Sequence, residues 1–155
     1  MPISSIGLIR DTILLFRDII SGTVVDPISD RQRQSGDPGS NARFVMTSWP
    51  QRATVFPFIT VQDVSTLDIS LGMQSEDSLA RMQLQVDVWS KQVGQRDGIA
   101  GSVFYGLRTN QLGTSSLLGS DLFDFRLASM RNLDDPGKTG LHRKSMTFEV
   151  SFVNT

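Results

Sequence analysis

Cysteine is absent from this chain, and histidine occurs only once. The absence of cysteine excludes disulfide scaffolds, thiolate metal sites and cysteine nucleophiles, and it fits synthesis in a reducing, intracellular compartment. No serine and aspartate surround His142 in a catalytic arrangement, and a lone histidine cannot build a histidine-rich metal site. We therefore expect His142 to be an ordinary residue of the surface or of an edge strand.

The chain also lacks an excess of basic residues. It has 15 Lys and Arg residues against 16 Asp and Glu residues, which gives a formal net charge of −1. Proteins that grip nucleic acid normally carry excess positive charge, because neutralising phosphates supplies much of the binding free energy. The charge balance argues against sequence-independent binding of DNA or RNA.

A long uncharged apolar run is missing as well. The longest apolar stretch, residues 3–20, is interrupted by Arg10, Asp11, Arg17 and Asp18, whereas a membrane-spanning helix needs about 20 nearly uncharged residues. The stretch also lacks the basic start and the small-residue cleavage site of a signal peptide. We expect no association with a membrane.

Enzyme motifs do not occur in the sequence. It contains no P-loop, no glycine-rich dinucleotide fingerprint after a strand and no HExxH zinc motif. Two acidic pairs, Glu76–Asp77 and Asp134–Asp135, are candidates for metal ligation or acid–base chemistry. Both pairs fall in turn-like segments, where acidic side chains commonly bond the backbone. The sequence therefore predicts no catalytic residue, no metal site and no cofactor.

The chain does have the size and composition of one globular domain over residues 1–155. Its content of 39% apolar and 20% charged residues is ordinary for such a domain. A chain of this length can bury one hydrophobic core that is stable without disulfides or bound metals.

Two segments have helical periodicity. The first helix is predicted to begin after the candidate caps Ser4 and Ser5 and to end at Gly22. Its apolar stripe, expected to pack in the core, is Ile6, Ile9, Ile13, Phe16 and Ile20. The second helix is predicted over residues 92–110, with an inner stripe of Ile99, Val103 and Leu107. Its glycines lower helix stability, and we expect them to permit close packing against a sheet. These glycines are Gly98, Gly101 and Gly106.

Five segments have strand composition, at residues 42–49, 56–70, 79–91, 122–132 and 141–153. In the third segment apolar residues alternate strictly with polar ones, which is typical of a strand with one face on a core and one in water. The last two segments flank an Asp-Pro-Gly turn and predict a hairpin. The order α-β-β-β-α-β-β predicts an α+β fold with a mainly antiparallel β-sheet flanked by two α-helices.

Two further features are candidates for contacts with other molecules. Residues 28–41 are polar and rich in Gly, Pro and Ser, which predicts a flexible loop. Arg31 and Arg33 in this loop suit phosphate contact, although arginines beside aspartates are simply explained by a solvated loop. Trp89 falls among the outward-facing residues of the third strand, so it marks an interface or is covered by its own chain.

Three stretches of the sequence carry a resemblance to a known family. They are residues 57–65 (PFITVQDVS), residues 84–90 (LQVDVWS) followed by a helix, and residues 142–152 (HRKSMTFEVSF). The chain resembles the tail terminator (tail completion) proteins of long-tailed viruses of bacteria and archaea, and the order of elements matches across most of its length. The resemblance implies an antiparallel sheet flanked by helices, in subunits that form a six-membered ring.

The resemblance also implies a function. The ring is expected at the head-proximal end of the tail tube, where it ends tube polymerisation and joins the tail to the head connector. The expected partners are other copies of the chain in a hexamer, the tail tube protein and a head connector or neck protein, while DNA passes through the lumen unread. The protein would be a structural virion component of the tail or neck, assembled in the host cytoplasm, and no enzyme.

Three alternatives stay open at this point. One is another neck component, such as a head–tail joining or stopper protein. The second is a monomeric ligand-binding α+β domain with a pocket between sheet and helices. The third is a hydrolase with a diverged motif, which the lack of a nucleophile–histidine arrangement disfavours most.

Contacts in such a ring are expected at sheet edges and loops, where backbone groups are unpaired or accessible. A ring uses a head-to-tail interface, so two different patches must match. The loops predicted to take part are residues 29–41, 71–78 and 134–140. The predicted contact residues are Arg31, Arg33, Met73, Trp89, Asp134, Asp135 and Lys138.

Overall fold

The computed structural model describes residues 7–34, 44–47, 55–70, 78–112, 122–133 and 140–154. The helices are α1 (Leu8–Thr23), α2 (Asp30–Gln34) and α3 (Val93–Leu112). The strands are β1 (Val45–Met46), β2 (Phe58–Ser70), β3 (Ser78–Ser90), β4 (Leu122–Asn132) and β5 (His142–Asn154). They form one sheet in the order β1-β2-β3-β5-β4, antiparallel except for the short parallel pair of β1 and β2. The predicted α+β class with a mainly antiparallel sheet is confirmed.

The first helix forms where the apolar periodicity predicts it, with different ends. The predicted caps Ser4 and Ser5 lie outside the described residues, and Gly22 lies within the helix. The helix ends when Val24 turns to extended backbone, and the N–H of Val24 donates to the carbonyl of Ile20 at 2.9 Å. Of the predicted stripe, Phe16 and Ile20 are fully buried, whereas Ile9 is 41% exposed.

The core lies between one face of the sheet and the two long helices. Every second residue from Ala80 to Val88 in β3 and from Met146 to Phe152 in β5 is apolar and buried on this face, as the alternation in the sequence predicts. The fully buried members are Leu84, Val86, Val88, Met146, Phe148 and Val150. Helix α1 packs on β1 and β2, α3 packs on β3 and β5, and the two helices contact each other. The inner stripe predicted for α3 (Ile99, Val103 and Leu107) is buried in the same cluster.

Three phenylalanine rings pack together between α1 and the two strands β4 and β5. The Phe16 ring lies 6.1 Å from the rings of both Phe125 and Phe148, and the latter two stack at 5.3 Å between centroids. Such ring pairs add about 0.5–1.5 kcal/mol each beyond the burial of their area. The cluster therefore joins α1 to β4 and β5, which are distant in the chain.

The glycines of α3 behave differently from the expectation. A Cβ on Gly106 would lie 2.4 Å from Thr23 Oγ1, so this glycine permits close packing of α3 against α1. A Cβ on Gly98 or Gly101 would meet no atom of the described residues within 4 Å. The prediction that these glycines pack against the sheet is wrong, since one faces a helix and two face open space.

A short helix lies within the segment predicted as a loop at residues 28–41. Helix α2 is stabilised by a reciprocal cap, because the backbone N–H of Gln32 donates to Ser29 Oγ and the N–H of Ser29 donates to Gln32 Oε1. This is the capping box Ser-x-x-Gln, a signal that is visible in the sequence. Residues 35–41 of the predicted loop lie outside the described part.

Two further expectations differ from the structure. The strand predicted over residues 42–49 is confined to two described residues of β1. The strand that begins at His142 is not at an edge, because β5 lies between β3 and β4 and His142 pairs with Ser90. The side chain of His142 is half-buried. No described helix is long and apolar enough to cross a membrane.

Candidate interaction surface

The face of the sheet turned away from α1 and α3 is mostly polar. Its side chains alternate with those of the core, and the strand register aligns them in rows that cross β2, β3, β5 and β4 in that order. We call this surface the open face. Its rows are Thr60–Asp87–Ser145–Arg131, Gln62–Gln85–Thr147–Ser129, Ser65–Gln83–Glu149–Arg126 and Leu67–Arg81–Ser151–Phe123.

A buried carboxylate organises one end of the open face. Asp87 is 2% exposed and accepts hydrogen bonds from Arg143 Nη2 at 2.8 Å and from Gln85 Nε2 at 2.9 Å. The Arg143 guanidinium lies 4.8 Å from the centre of the Trp89 ring, and that ring stacks on Phe58. A carboxylate removed from water must be paired and hydrogen-bonded, because its desolvation is costly. The cluster therefore holds the guanidinium and the two rings in fixed positions.

A second carboxylate links three strands in the middle of the open face. Glu149 of β5 accepts a hydrogen bond from Arg126 Nε of β4 at 2.6 Å and one from Gln83 Nε2 of β3 at 3.0 Å. The hydrogen bond from Arg126, followed by that from Gln83, holds the pKa of Glu149 below its ordinary value of 4.5. The side chain is thus a carboxylate that keeps its charge in mildly acidic solution.

An ion-pair network docks α3 on the sheet from the other side. The Asp97 carboxylate accepts hydrogen bonds from Lys144 Nζ at 2.8 Å and from Arg96 Nε at 2.9 Å. The hydrogen bond from Lys144 is the largest cause of a lowered pKa of Asp97, followed by that from Arg96. Arg96 is buried while Asp97 is half exposed. The network joins the start of α3 to β5.

Arg33 lies inside the subunit and Arg31 lies on its surface. The Arg33 side chain is 4% exposed and donates to both carboxylate oxygens of Asp26, at 2.7 and 2.6 Å, and to the carbonyl of Val55 at 3.1 Å. Its guanidinium also lies over the Phe44 ring. Arg33 therefore braces α2 against the segments before β1 and β2, which leaves Arg31 as the accessible member of the pair.

The other predicted contact residues divide between described and undescribed parts of the chain. Trp89 is half-buried and engaged in the cluster around Arg143, so its own chain covers part of the ring. Its contact with another subunit stays a prediction. Four predicted residues lie outside the described residues, namely Met73, Asp134, Asp135 and Lys138.

The structure also identifies residues that the sequence did not single out. Asp87 and Arg143 meet although they are 56 positions apart, and Arg126 meets Glu149 across 23 positions. The alternation of polar residues in β3 places Asp87 on the open face, but it does not show which basic residue pairs with it. Within the described part of the chain, no group of three or more His, Asp or Glu residues is placed to hold a metal ion.

Comparison with known proteins gives a family for this arrangement. Residues 38–152 match the protein family described as Tail completion protein gp17. A chain in the solved structure of the virion of a native gene transfer agent (GTA) particle has a similar fold, with a TM-score of 0.54 and 11% sequence identity. The similarity covers 87% of this chain and 98% of that chain. No curated protein sequence matches the chain.

Proposed function

This chain belongs to the Tail completion protein gp17 family, and we propose that it forms a six-membered ring at the head-proximal end of a viral tail tube. The family makes the chain a structural component of the virion tail, which is not an enzyme class, and a component of this kind assembles with other tail and head proteins. In the proposal, the ring ends polymerisation of the tube and joins the tail to the head connector.

The observation that carries the proposal is the family match over residues 38–152, which include β1 to β4, α3 and all but the last two residues of β5. The chain from the gene transfer agent virion supports the fold. The organised polar rows of the open face add a physical argument, because they present side chains in fixed positions without forming a catalytic arrangement.

The charge of the chain is consistent with DNA passing through the proposed ring. The formal net charge is −1, so the chain as a whole brings no excess of positive charge to a ring. A strongly basic lumen would bind the phosphate backbone and slow the passage of DNA. In the proposal the DNA passes through the ring without sequence-specific binding.

Deleting the gene from the virus and measuring tail lengths by electron microscopy tests the proposal. We expect overlong tails that carry no heads, because nothing stops the tube or joins it to a connector. The control is the same deletion with the wild-type gene supplied in trans, which restores normal particles. Headless tails of normal length would contradict a role in ending the tube and would favour another neck component. Unaffected virions would contradict both roles.

A further inference from the structure

The sheet of each subunit has an open edge on either side. Strand β4 is the last strand on one side and pairs only with β5 within the described part of the chain. On the other side, β1 pairs with β2 only at Ile59 and Thr60, so it leaves the outer side of residues 61–70 without a strand neighbour among the described residues. An open edge presents backbone N–H and C=O groups that another strand can pair with.

One row of the open face ends in exposed apolar side chains at both edges. The row Leu67–Arg81–Ser151–Phe123 begins at Leu67 of β2, which is 58% exposed, and ends at Phe123 of β4, which is 40% exposed. Two of the other rows, those of Gln62 and Ser65, end in polar residues on both sides, whereas the row of Thr60 continues to Met46 of β1. Covering Leu67 and Phe123 would remove apolar surface from water, which is favourable. The two side chains lie at the same height along the strands and on the same face.

The strand directions suit a head-to-tail contact between these edges. From β2 to β4 the strands alternate in direction, so β2 and β4 run opposite to each other. Rotation about an axis parallel to the strands preserves their direction, their height and the face that they present. A neighbour related by such a rotation brings its β2 antiparallel to β4 and continues the alternation.

The two edges also differ in charge and shape. Strand β2 contains Asp63 and Asp68 and no basic residue, whereas β4 contains Arg126 and Arg131 against one acidic residue, Asp124. Opposite charges at the rim of a contact favour one orientation over others. A cleft of about 600 Å³ lies along the β2 edge and is lined by Thr66 with Ile9, Ile13 and Leu14 of α1. The cleft borders the same edge from the helix-covered face, because Thr66 points to the opposite side of the sheet from Leu67.

We propose that neighbouring copies of the chain join edge to edge, with β2 of one subunit beside β4 of the next and Phe123 packed against Leu67. This inference rests on the proposed ring and specifies how the ring closes. The contact uses two different edges, so it is head-to-tail and can close into a ring. Irregular pairing between Asp63 and Ser65, and at two points of β4, restricts which strands can add to these edges.

The lack of cysteine makes disulfide crosslinking a direct test. Opposed residues on neighbouring strands have Cβ atoms about 4.5–5.5 Å apart, and a disulfide needs about 3.5–4.5 Å. Virions that contain the double variant Leu67→Cys/Phe123→Cys are treated with a mild oxidant and separated on a non-reducing gel. We expect a ladder of crosslinked multimers that extends to the hexamer, because each subunit offers one thiol at each edge.

Matched variants separate this contact from other arrangements. Each single cysteine variant should stay monomeric on the gel, and so should Leu67→Cys/Val25→Cys, because Val25 is 85% exposed and belongs to neither edge. Dimers from either single variant would contradict a head-to-tail contact. Normal virions whose double variant remains monomeric after oxidation would overturn the proposed edge pairing while leaving the ring itself intact. A different result, unaffected virions after deletion of the gene, would contradict the proposed ring itself.

A second variant tests the contact without crosslinking. Leu67→Glu places a charge on an exposed side chain, so the isolated subunit should keep its circular dichroism spectrum and its melting temperature within about 3 °C. In virions we expect the variant to be incorporated at least tenfold less than the wild type when both are expressed together. Equal incorporation of the two chains would overturn the proposed contact.

Discussion

The two faces of the sheet differ in the interactions that their side chains make. On the helix-covered face, apolar side chains such as Phe148 and Leu84 are removed from water completely, and their burial stabilises the fold without regard to partner identity. On the open face, Asp87 and Glu149 are held by hydrogen bonds from other strands. Buried or shared ion pairs contribute little net stability, because desolvation offsets the attraction between the charges. The comparison indicates that one face supplies stability and the other supplies positioned side chains.

The largest expected effect is on the apolar face. Phe148→Ala removes a fully buried ring that contacts the Phe16 and Phe125 rings, and we expect a loss of about 3–5 kcal/mol in the free energy of unfolding. Equilibrium unfolding in urea measures it. The matched control is Phe123→Ala at the exposed edge, with an expected loss below about 1 kcal/mol. Equal losses for the two variants would contradict the assignment of stability to the apolar face.

A smaller effect is expected on the open face. Asp87→Ala leaves the Arg143 guanidinium without its carboxylate, and because the Arg143 side chain is 27% exposed we expect a loss of about 2 kcal/mol. The double variant Asp87→Ala/Arg143→Ala should lose less than the sum of the single variants, measured as a double-mutant cycle in urea. Strict additivity would show that the pair does not couple the strands. Asp68→Ala, at an exposed position, serves as the control.

The helix layer offers a matched pair of glycines. Gly106→Ala should destabilise the protein by about 1–2 kcal/mol, because its Cβ would collide with Thr23. Gly98→Ala should stabilise it by about 0.5–1 kcal/mol, because this Cβ meets open space and alanine favours the helix. Melting temperatures compared by calorimetry give the two signs. A stabilised Gly106→Ala variant would show that α1 and α3 are not in close contact there.

The smallest effect concerns the pH dependence of the open face. The pKa of Glu149 is lower in the folded state than its ordinary value of 4.5, chiefly because of Arg126. Its contribution to stability is therefore present above pH 4.5 and is lost as the pH falls through the lowered folded value. Glu149→Gln should flatten the fall of unfolding free energy as the pH drops below about 4.5, measured in urea at several pH values. A slope identical to that of the wild type would contradict a lowered pKa of Glu149 in the folded state.

The sequence predicted which residues of β3, β5 and α3 face the core. Side chains alternate between the two faces of a strand and recur on one face of a helix every 3.6 residues, so the local pattern of apolar residues is sufficient for this prediction. Helix α2 was missed although its capping box, Ser29 to Gln32, is local. Among the predicted contact residues, Trp89 was correctly placed on the open face, whereas the burial of Arg33 depends on Asp26 and Val55, which lie 7 and 22 positions away.

The sequence by itself determined the two long helices and the four long strands, their apolar faces and, through strand patterns shared with a family, the kind of protein. Only the tertiary structure decided the strand order, the pairing of Asp87 with Arg143, the contact of Gly106 with Thr23 and the row that joins Leu67 to Phe123. Each of these depends on which distant segments lie side by side, and local periodicity carries no information about that. Strand neighbours are chosen by the packing of the whole core and by the closure of the loops between them.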